Sequence, residues 1–461
     1  MNDDDLDRGN DHDVAAGPLR SSANTSDADM VIVGASVRAA AASARRAGLA
    51  PLAIDRFGDV DLCDASPTYI ASRYPEELAE LLACVVTSAN HALPWMYTGA
   101  LECHPVLIER LAELAPLWGN AADVVRRVRD PWMLQQTFSR AGVASPAVRA
   151  LDSSPSINGP WLLKSPHSSG GTGVHCWPLA DRHTPPPGAY LQQYVAGTPC
   201  SAIFVAAAGQ CRMLGASRQL IGAAWAGSSG FRYVGSLASR PQADTTAAQF
   251  QVIGDTLVSQ FDLVGLFGVD AIVTANDTTG TKIVWPIEVN PRYTASVETI
   301  ERLTGLRAID AHVRACRDGK LSDSIDVPKK TPKTSKTSPE SVACVGKAIM
   351  FAPGDVVTTR ALSARIERLN AISADTSAGW PAVADIPHVG TPIPRGAPVL
   401  TVLAHAGDVT SVEKQLRAMT AELASLLAVD ASATDTSATD TSASDTSATE
   451  AMSKNAPAPD A

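Results

Sequence analysis

No apolar run long enough to cross a bilayer (about 18 residues) occurs in this chain, and its start is acidic rather than basic then apolar. A membrane span and a secretory leader are therefore not expected. The eight cysteines are scattered and never form a C-x-x-C pair, which argues against a disulfide frame or a zinc knuckle and for a reducing, cytoplasmic setting. No basic stripe with interleaved aromatics is present, so no nucleic-acid partner is expected. Aromatic residues make up only 5% of the chain, yet 45% is hydrophobic and 19% charged, which excludes a wholly disordered or collagen-like protein. At 461 residues the chain is long enough for several cores.

The net charge of -10 is concentrated at the ends. Residues 1–30 hold eight acids and two bases, and residues 430–461 hold six acids and one base, so the body between them is close to neutral. Residues 1–28 are too poor in apolar groups to offset the entropy of ordering, and read as a disordered acidic tail. Residues 430–461 repeat DTSAT-like units every five residues, which is low-complexity sequence rather than a solenoid. The lysine- and proline-rich stretch 327–341 reads as a linker. These breaks divide the chain into a region over 29–120, a central region over 121–326 and a small β-rich region over 342–429 that ends in a helix.

Local patterns indicate an α/β fold. Met30–Val33, a Gly34-Ala35-Ser36 turn, an alanine-rich helix and the apolar Leu52–Ile54 form a βαβ opening, which favours a parallel sheet. Asp130 followed by Pro131 predicts a capped helix carrying Leu134, Phe138 and Ala141 on one face and closed by Gly142. Phe250, Ile253, Leu257 and Phe261 mark a second amphipathic helix, and Ile309, Val313 and Cys316 a third. Val412, Leu416, Met419, Leu423 and Leu426 mark a last one, which packs on its own region or, less in keeping with only two heptads, forms a dimer seam.

Three segments carry candidate chemistry. In WLLKSPHSSGGTGV (161–174) an apolar strand presents Lys164 ahead of a loop of small residues, Ser168, Ser169, Gly170, Gly171, Thr172 and Gly173. Such a loop lets backbone N–H groups approach phosphate oxygens while a lysine supplies a compact cation; alone, it reads equally well as a surface turn. In YLQQYVAGTP (190–199), Gln192, Gln193, Tyr194 and Val195 can line an adenine pocket, although an ordinary strand and turn explains this segment by itself. In LFGVDAIVT (266–274) an acid, Asp270, interrupts an apolar strand, and IVWPIEVNPR (283–292) follows. Strand alternation puts Glu288 and Asn290 on one face, with Ile287 and Val289 toward the core. Two carboxylates and an amide oxygen suit a hard cation such as Mg²⁺, and Arg292 suits a phosphate or carboxylate. A dinucleotide fingerprint ending at Asp55 fails, because Ser36 and Ala39 stand where the second and third glycines belong.

In this order the segments resemble the ATP-grasp superfamily of carboxylate–amine ligases over residues 30–320. The opening GASVRAAAASARRAG and the later MYTGALECHP are similar to a subgroup of predicted ATP-dependent carboligases associated with one-carbon cofactors (tetrahydromethanopterin or methanofuran). The resemblance implies a Rossmann-like N-terminal domain, an ATP-grasp domain and a small β-rich C-terminal region. It further implies that Lys164 and the 168–173 loop hold ATP phosphates and that Gln192–Val195 hold adenine. Asp270, Glu288 and Asn290 would hold two Mg²⁺ (or Mn²⁺), while Arg292, with Lys164, serves the reacting phosphoryl group. Small-molecule carboxylate and amine substrates are implied, with a homodimer left open. Arg38, Thr98 and Glu102 become candidates for the non-nucleotide substrate, structural roles being equally compatible. The sequence departs from the family where Pro131 replaces a lysine, with Arg129 nearby, and where Thr198-Pro199 replaces a ribose-binding acid. The rival from another class is a catalytically silent ATP-binding regulator or scaffold.

Overall fold

The computed structural model describes residues 27–151, 159–166, 168–179, 184–240, 245–276, 278–321, 343–376 and 379–429. Both expected tails and the expected linker lie outside the described residues, apart from Asp27 and Ala28.

The N-terminal region alternates β1 (Met30–Gly34), α1 (Arg38–Arg46), β2 (Pro51–Asp55), α2 (Val60–Ala65), β3 (Thr68–Ile70), α3 (Leu78–Ser88) and β4 (Trp95–Tyr97), then α4 (Pro105–Leu114) and α5 (Ala122–Val128). Its strands form a parallel sheet in the order β3-β2-β1-β4, as the βαβ opening predicts. Asp55 is fully buried and accepts hydrogen bonds from the Val37, Phe57 and Gly58 N–H groups at 2.7–2.8 Å. It therefore ties the end of β2 to the start of α1, and is not presented to a ribose.

The central region opens with α6 (Pro131–Arg140), whose N-cap Asp130 accepts from the Trp132 and Met133 N–H groups at 2.9 Å. Phe138 on this helix is buried, Leu134 half-buried, and Ala141, the C-cap, exposed. The short strands β5 (Val148–Ala150), β6 (Trp161–Lys164), β7 (Val174–Trp177) and β8 (Tyr190–Gln193) then form an antiparallel sheet in the order β5-β8-β6-β7. Next come β9 (Thr198–Ala207), β10 (Gln210–Ile221), β11 (Tyr233–Ser239), α7 (Thr246–Phe261), β12 (Gly265–Ala275), β13 (Lys282–Asn290), α8 (Val297–Thr304) and α9 (Ala308–Asp318). All four predicted apolar residues of α7 are buried, and they pack with Phe204 and Phe267, whose rings stack 5.0 Å apart.

The last region holds β14 (Cys344–Phe351), β15 (Val356–Val357), α10 (Arg360–Thr376), β16 (Val383–Ala384), β17 (Pro392–Ile393), β18 (Pro398–Ala406), α11 (Val409–Ala424) and β19 (Ala428–Val429). It does not stand apart as the linker suggested. β14 pairs antiparallel with β11, so one eight-stranded sheet runs β13-β12-β9-β10-β11-β14-β18-β16. Val412, Leu416 and Leu423 of α11 are fully buried in the same apolar cluster as Val402 and Ala348. The helix thus covers its own sheet, and its apolar stripe is not available as a dimer seam.

His312 on α9 fixes the join between regions. Its Nδ1 accepts from the Leu266 N–H at 2.9 Å and its Nε2 lies 3.1 Å from the Trp118 carbonyl, which defines a neutral ring. Burial lowers its pKa to about 4 from 6.5, despite the Trp118 bond acting the other way. A base whose folded pKa lies below its unfolded value stabilises the fold above the unfolded pKa and loses that contribution as pH falls through the folded one. Stability is therefore expected to drop by about 3 kcal/mol from this group between pH 6.5 and 4. Urea denaturation of the unaltered protein beside His312→Gln across that range checks it: the acid-side loss should shrink in the variant, and parallel profiles would refute it.

Candidate active site

A cleft of about 740 Å³ lies between the small sheet, the large sheet and the ends of β1 and β4, within the usual size for a small-molecule site. Lys164, Ser169, Gly170, Gly171, Gln192, Gln193, Tyr194, Val195, Asp270, Glu288, Asn290 and Arg292 all line it. Ser168 lines a small recess that shares Lys164, Gln192 and Glu288 with the cleft. Thr172 and Gly173 are exposed and line neither cavity, so the loop presents its first part only.

Each side chain has a local reason for its place. Lys164 ends β6, is buried, and donates to Gln192 Oε1 on β8 at 3.2 Å. Gln192 in turn donates to the Ile287 carbonyl at 3.3 Å, joining the two sheets at the back of the cleft. It thus acts as a brace for the lysine rather than a freely offered adenine contact. Gln193 accepts from the Ala147 N–H at 3.2 Å, and the backbone N–H groups of Gln193 and Tyr194 donate to the Ala147 and Pro160 carbonyls. The glycine loop is fastened across the cleft, because the Tyr233 N–H donates to the Gly170 carbonyl at 2.9 Å. At Gly171, with φ +77°, a Cβ would stand 1.9 Å from the Phe231 carbonyl oxygen. Only glycine permits that approach.

On the large sheet Asp270 faces Glu288 across the β12–β13 pair. The next pairing, Ala271 with Pro286, skips Ile287. This bulge changes the expected alternation: Val284 and Val289 sit in the core, while Ile287 lines the cleft beside Glu288 and Asn290 instead of facing inward. Asp270 accepts from Gln219 at 3.0 Å and from the Asn290 amide at 3.1 Å. Burial, then the nearby Glu288 carboxylate, push its pKa up to about 6. Two half-buried carboxylates facing one another across a strand pair repel, and a divalent cation would reverse that repulsion. Among the described residues no group of three or more His, Cys, Asp or Glu is placed to hold a metal ion by itself. Asp270 and Glu288 fit a hard cation whose remaining ligands come from phosphate and water. Asn290 accepts from Arg292 at 3.1 Å, so its oxygen would have to leave that bond to serve as a ligand.

Arg292 and Arg129 form the cationic side. Arg292 donates to Glu102 at 2.5 Å and to the Tyr293 carbonyl at 3.2 Å. Arg129 donates to the Ser168 and Pro166 carbonyls at 3.0 and 3.4 Å and lies 3.5 Å from Glu288. It thus brings a guanidinium to the glycine loop from just ahead of Pro131. Arg129 is the residue that the sequence offers in place of the lysine replaced by Pro131, and it stands at the root of that loop.

The other end of the cleft is lined by Ser36, Arg38, Thr98, Lys347, Asp385 and Thr401. Arg38 is bound on both sides, to Glu298 and to Asp385, and Lys347 donates to Glu298 at 2.8 Å. This network joins α1, α8 and β14, regions far apart in sequence, and no local pattern in the chain announced it. Thr98 donates to the Ser36 carbonyl at 3.0 Å. Glu102, buried behind Arg292, does not line the cleft.

A family model described as an ATP-grasp domain matches residues 128–296, the stretch that supplies Arg129, Lys164, the glycine loop and the acidic strand pair. The chain carries an ATP-grasp domain. Solved structures extend the likeness beyond it. The L-amino acid ligase from Bacillus licheniformis aligns over 87% of this chain and 98% of its own, with a TM-score of 0.59 at 15% identity. The biotin carboxylase domain of Hydrogenobacter thermophilus 2-oxoglutarate carboxylase, a complex with MgADP, ADP and bicarbonate, aligns over 84% and 88%, with a TM-score of 0.60 at 14% identity. The N5-carboxyaminoimidazole ribonucleotide synthetase from Thermus thermophilus aligns over 86% and 98%, with a TM-score of 0.56 at 15% identity. No curated protein sequence matches. The likeness thus covers the N-terminal sheet and the last region as well as the ATP-grasp domain. No helix among the described residues is long and apolar enough to cross a membrane.

Proposed function

We propose that this protein is an ATP- and Mg²⁺-dependent ligase that joins a carboxylate to an amine through an acyl phosphate. The observation that carries the reading is the meeting, in one cleft, of Lys164 and the glycine loop with Asp270, Glu288, Asn290 and Arg292. Lys164, with Ser169, Gly170 and Gly171, holds the nucleotide phosphates, and Arg129 adds a second cation behind the loop. The Gln192–Val195 segment borders the adenine, with Ile287 and Ile272 as apolar walls. Asp270 and Glu288 hold Mg²⁺, which supplies charge neutralisation to the transferring phosphoryl group. Arg292 steadies the acceptor carboxylate, so that its oxygen attacks the terminal phosphorus and ADP departs. The amine then attacks the acyl carbon and inorganic phosphate leaves. No protein nucleophile is required.

The two segments similar to the one-carbon-cofactor carboligases, 34–48 and 96–105, border the far end of the cleft through Ser36, Arg38 and Thr98. They support a role in the synthesis of such a cofactor, with glutamate and pterin or furan precursors as the first substrates to try. ADP release would be followed with Mg-ATP against a panel of acids and amines that includes these. Turnover that requires both an acid and an amine is the expected result. Tight nucleotide binding with no turnover for any pair would favour a silent binder.

A further inference from the structure

We propose that Glu102 is a positioning residue that couples the two ends of the cleft through its contacts with Arg292 and Arg129. The inference rests on the proposed function in taking the glycine-loop end as the nucleotide site. Glu102 sits in a single 3-10 turn, Leu101–Cys103, at the end of the segment that lines the far end of the cleft with Thr98, Gly99 and Ala100. Ala100 just before it holds φ at +78°, a left-handed backbone that a non-glycine residue adopts at a cost. That conformation aims Glu102 inward.

From there one carboxylate reaches both arginines. Glu102 Oε1 accepts from Arg292 Nη2 at 2.5 Å and lies 3.8 Å from Arg129 Nη1. Arg129 carries the connection onward to the loop through its bonds to the Ser168 and Pro166 carbonyls. The next residue repeats the link, since Cys103 Sγ lies 3.6 Å from the same Ser168 carbonyl. Gly99 completes the contact, because a Cβ there would touch the Arg292 guanidinium at 3.5 Å. The segment 98–104 therefore rests on the arginine of the reacting end and on the root of the phosphate loop at once.

The network is also incompletely bonded. Glu102 Oε2, Arg129 Nη1 and Arg292 Nε are buried, and none has a hydrogen-bond partner among the described residues. Such groups are costly unless something completes them, and a network short of partners can be rearranged by a ligand that a saturated one would resist. Glu102 itself stays ionised: burial opposes its charge, but Arg292 and Arg129 outweigh burial and hold its pKa below the ordinary value. Loading of the loop end shifts Arg129, Glu102 follows, and Thr98–Ala100 are set for the acceptor.

Hydrogen exchange of the full chain with and without Mg²⁺ and a non-hydrolysable ATP analogue tests this. Slower exchange is expected in peptides covering both 165–173 and 98–104 of the unaltered protein. In Glu102→Gln the analogue should still slow 165–173, while 98–104 no longer responds. Turnover should fall about a hundredfold with KM for ATP within about threefold, a split that general destabilisation would not produce. Glu102→Asp, which keeps the charge, should restore part of the response. Equal protection of both segments in Glu102→Gln overturns the proposal. If that variant does not fold, a 98–104 segment indifferent to the analogue in the unaltered protein overturns it equally. An unaltered protein that binds no analogue instead overturns the functional reading, and the coupling with it.

Discussion

Replacing Glu288 with glutamine is expected to lower Mg-ATP turnover by about a thousandfold while leaving the fold intact. The substitution keeps the shape of a half-buried side chain at the strand end and removes only its charge. Stability should change little, since the repulsion of Asp270 that the loss relieves offsets the 3.5 Å pairing with Arg129 that it gives up. Turnover should suffer because cation binding needs both carboxylates, and the charge stabilisation a divalent ion gives a transferring phosphoryl group is worth several kcal/mol, with about 4 kcal/mol equal to a factor of a thousand. Asp270→Asn should behave in the same way. The check is steady-state turnover beside thermal denaturation. Full activity in either variant would remove the strand pair from the site.

The second large effect is expected at Gly171. Alanine there combines a left-handed backbone with a Cβ 1.9 Å from the Phe231 carbonyl oxygen, so one of the two backbones must move. Strain of this kind costs on the order of 1–3 kcal/mol, enough to raise KM for Mg-ATP about tenfold or more as the loop separates from Tyr233. Gly170 provides the comparison. Its φ is also positive, at +63°, but no atom lies within 4 Å of its Cβ position, so Gly170→Ala should do much less. Nucleotide titrations of the two variants decide the matter; equal effects would mean that the Phe231 contact is unimportant.

How much of this was legible beforehand depended on the range of the interaction. Lys164 followed by small residues, an acid inside the apolar run at Asp270, and the Glu288-x-Asn290 spacing are short-range patterns, and the fold brings them into one cleft. Asp130-Pro131 and the stripe on α7 rest on helix capping and period, and they form as expected. The Ile287 bulge escaped because alternation assumes an unbroken ladder, and only pairing with β12 breaks it. Arg129 with Glu102, and Arg38 with Glu298 and Asp385, are ion pairs between distant segments, for which one sequence carries no local signal. β14 joined the large sheet for a similar reason: the stretch before it looks like a linker, and which strand edge it meets is a tertiary choice.

The most direct test of the account follows an oxygen atom. The full chain would be given Mg-ATP, an amine and a carboxylic acid labelled with ¹⁸O in its carboxyl group, and the phosphate released would be weighed by mass spectrometry. Attack of a carboxylate oxygen on phosphorus, followed by amine displacement at carbon, predicts one ¹⁸O in each phosphate formed. Turnover that yields unlabelled phosphate would contradict the acyl-phosphate route at the centre of this account.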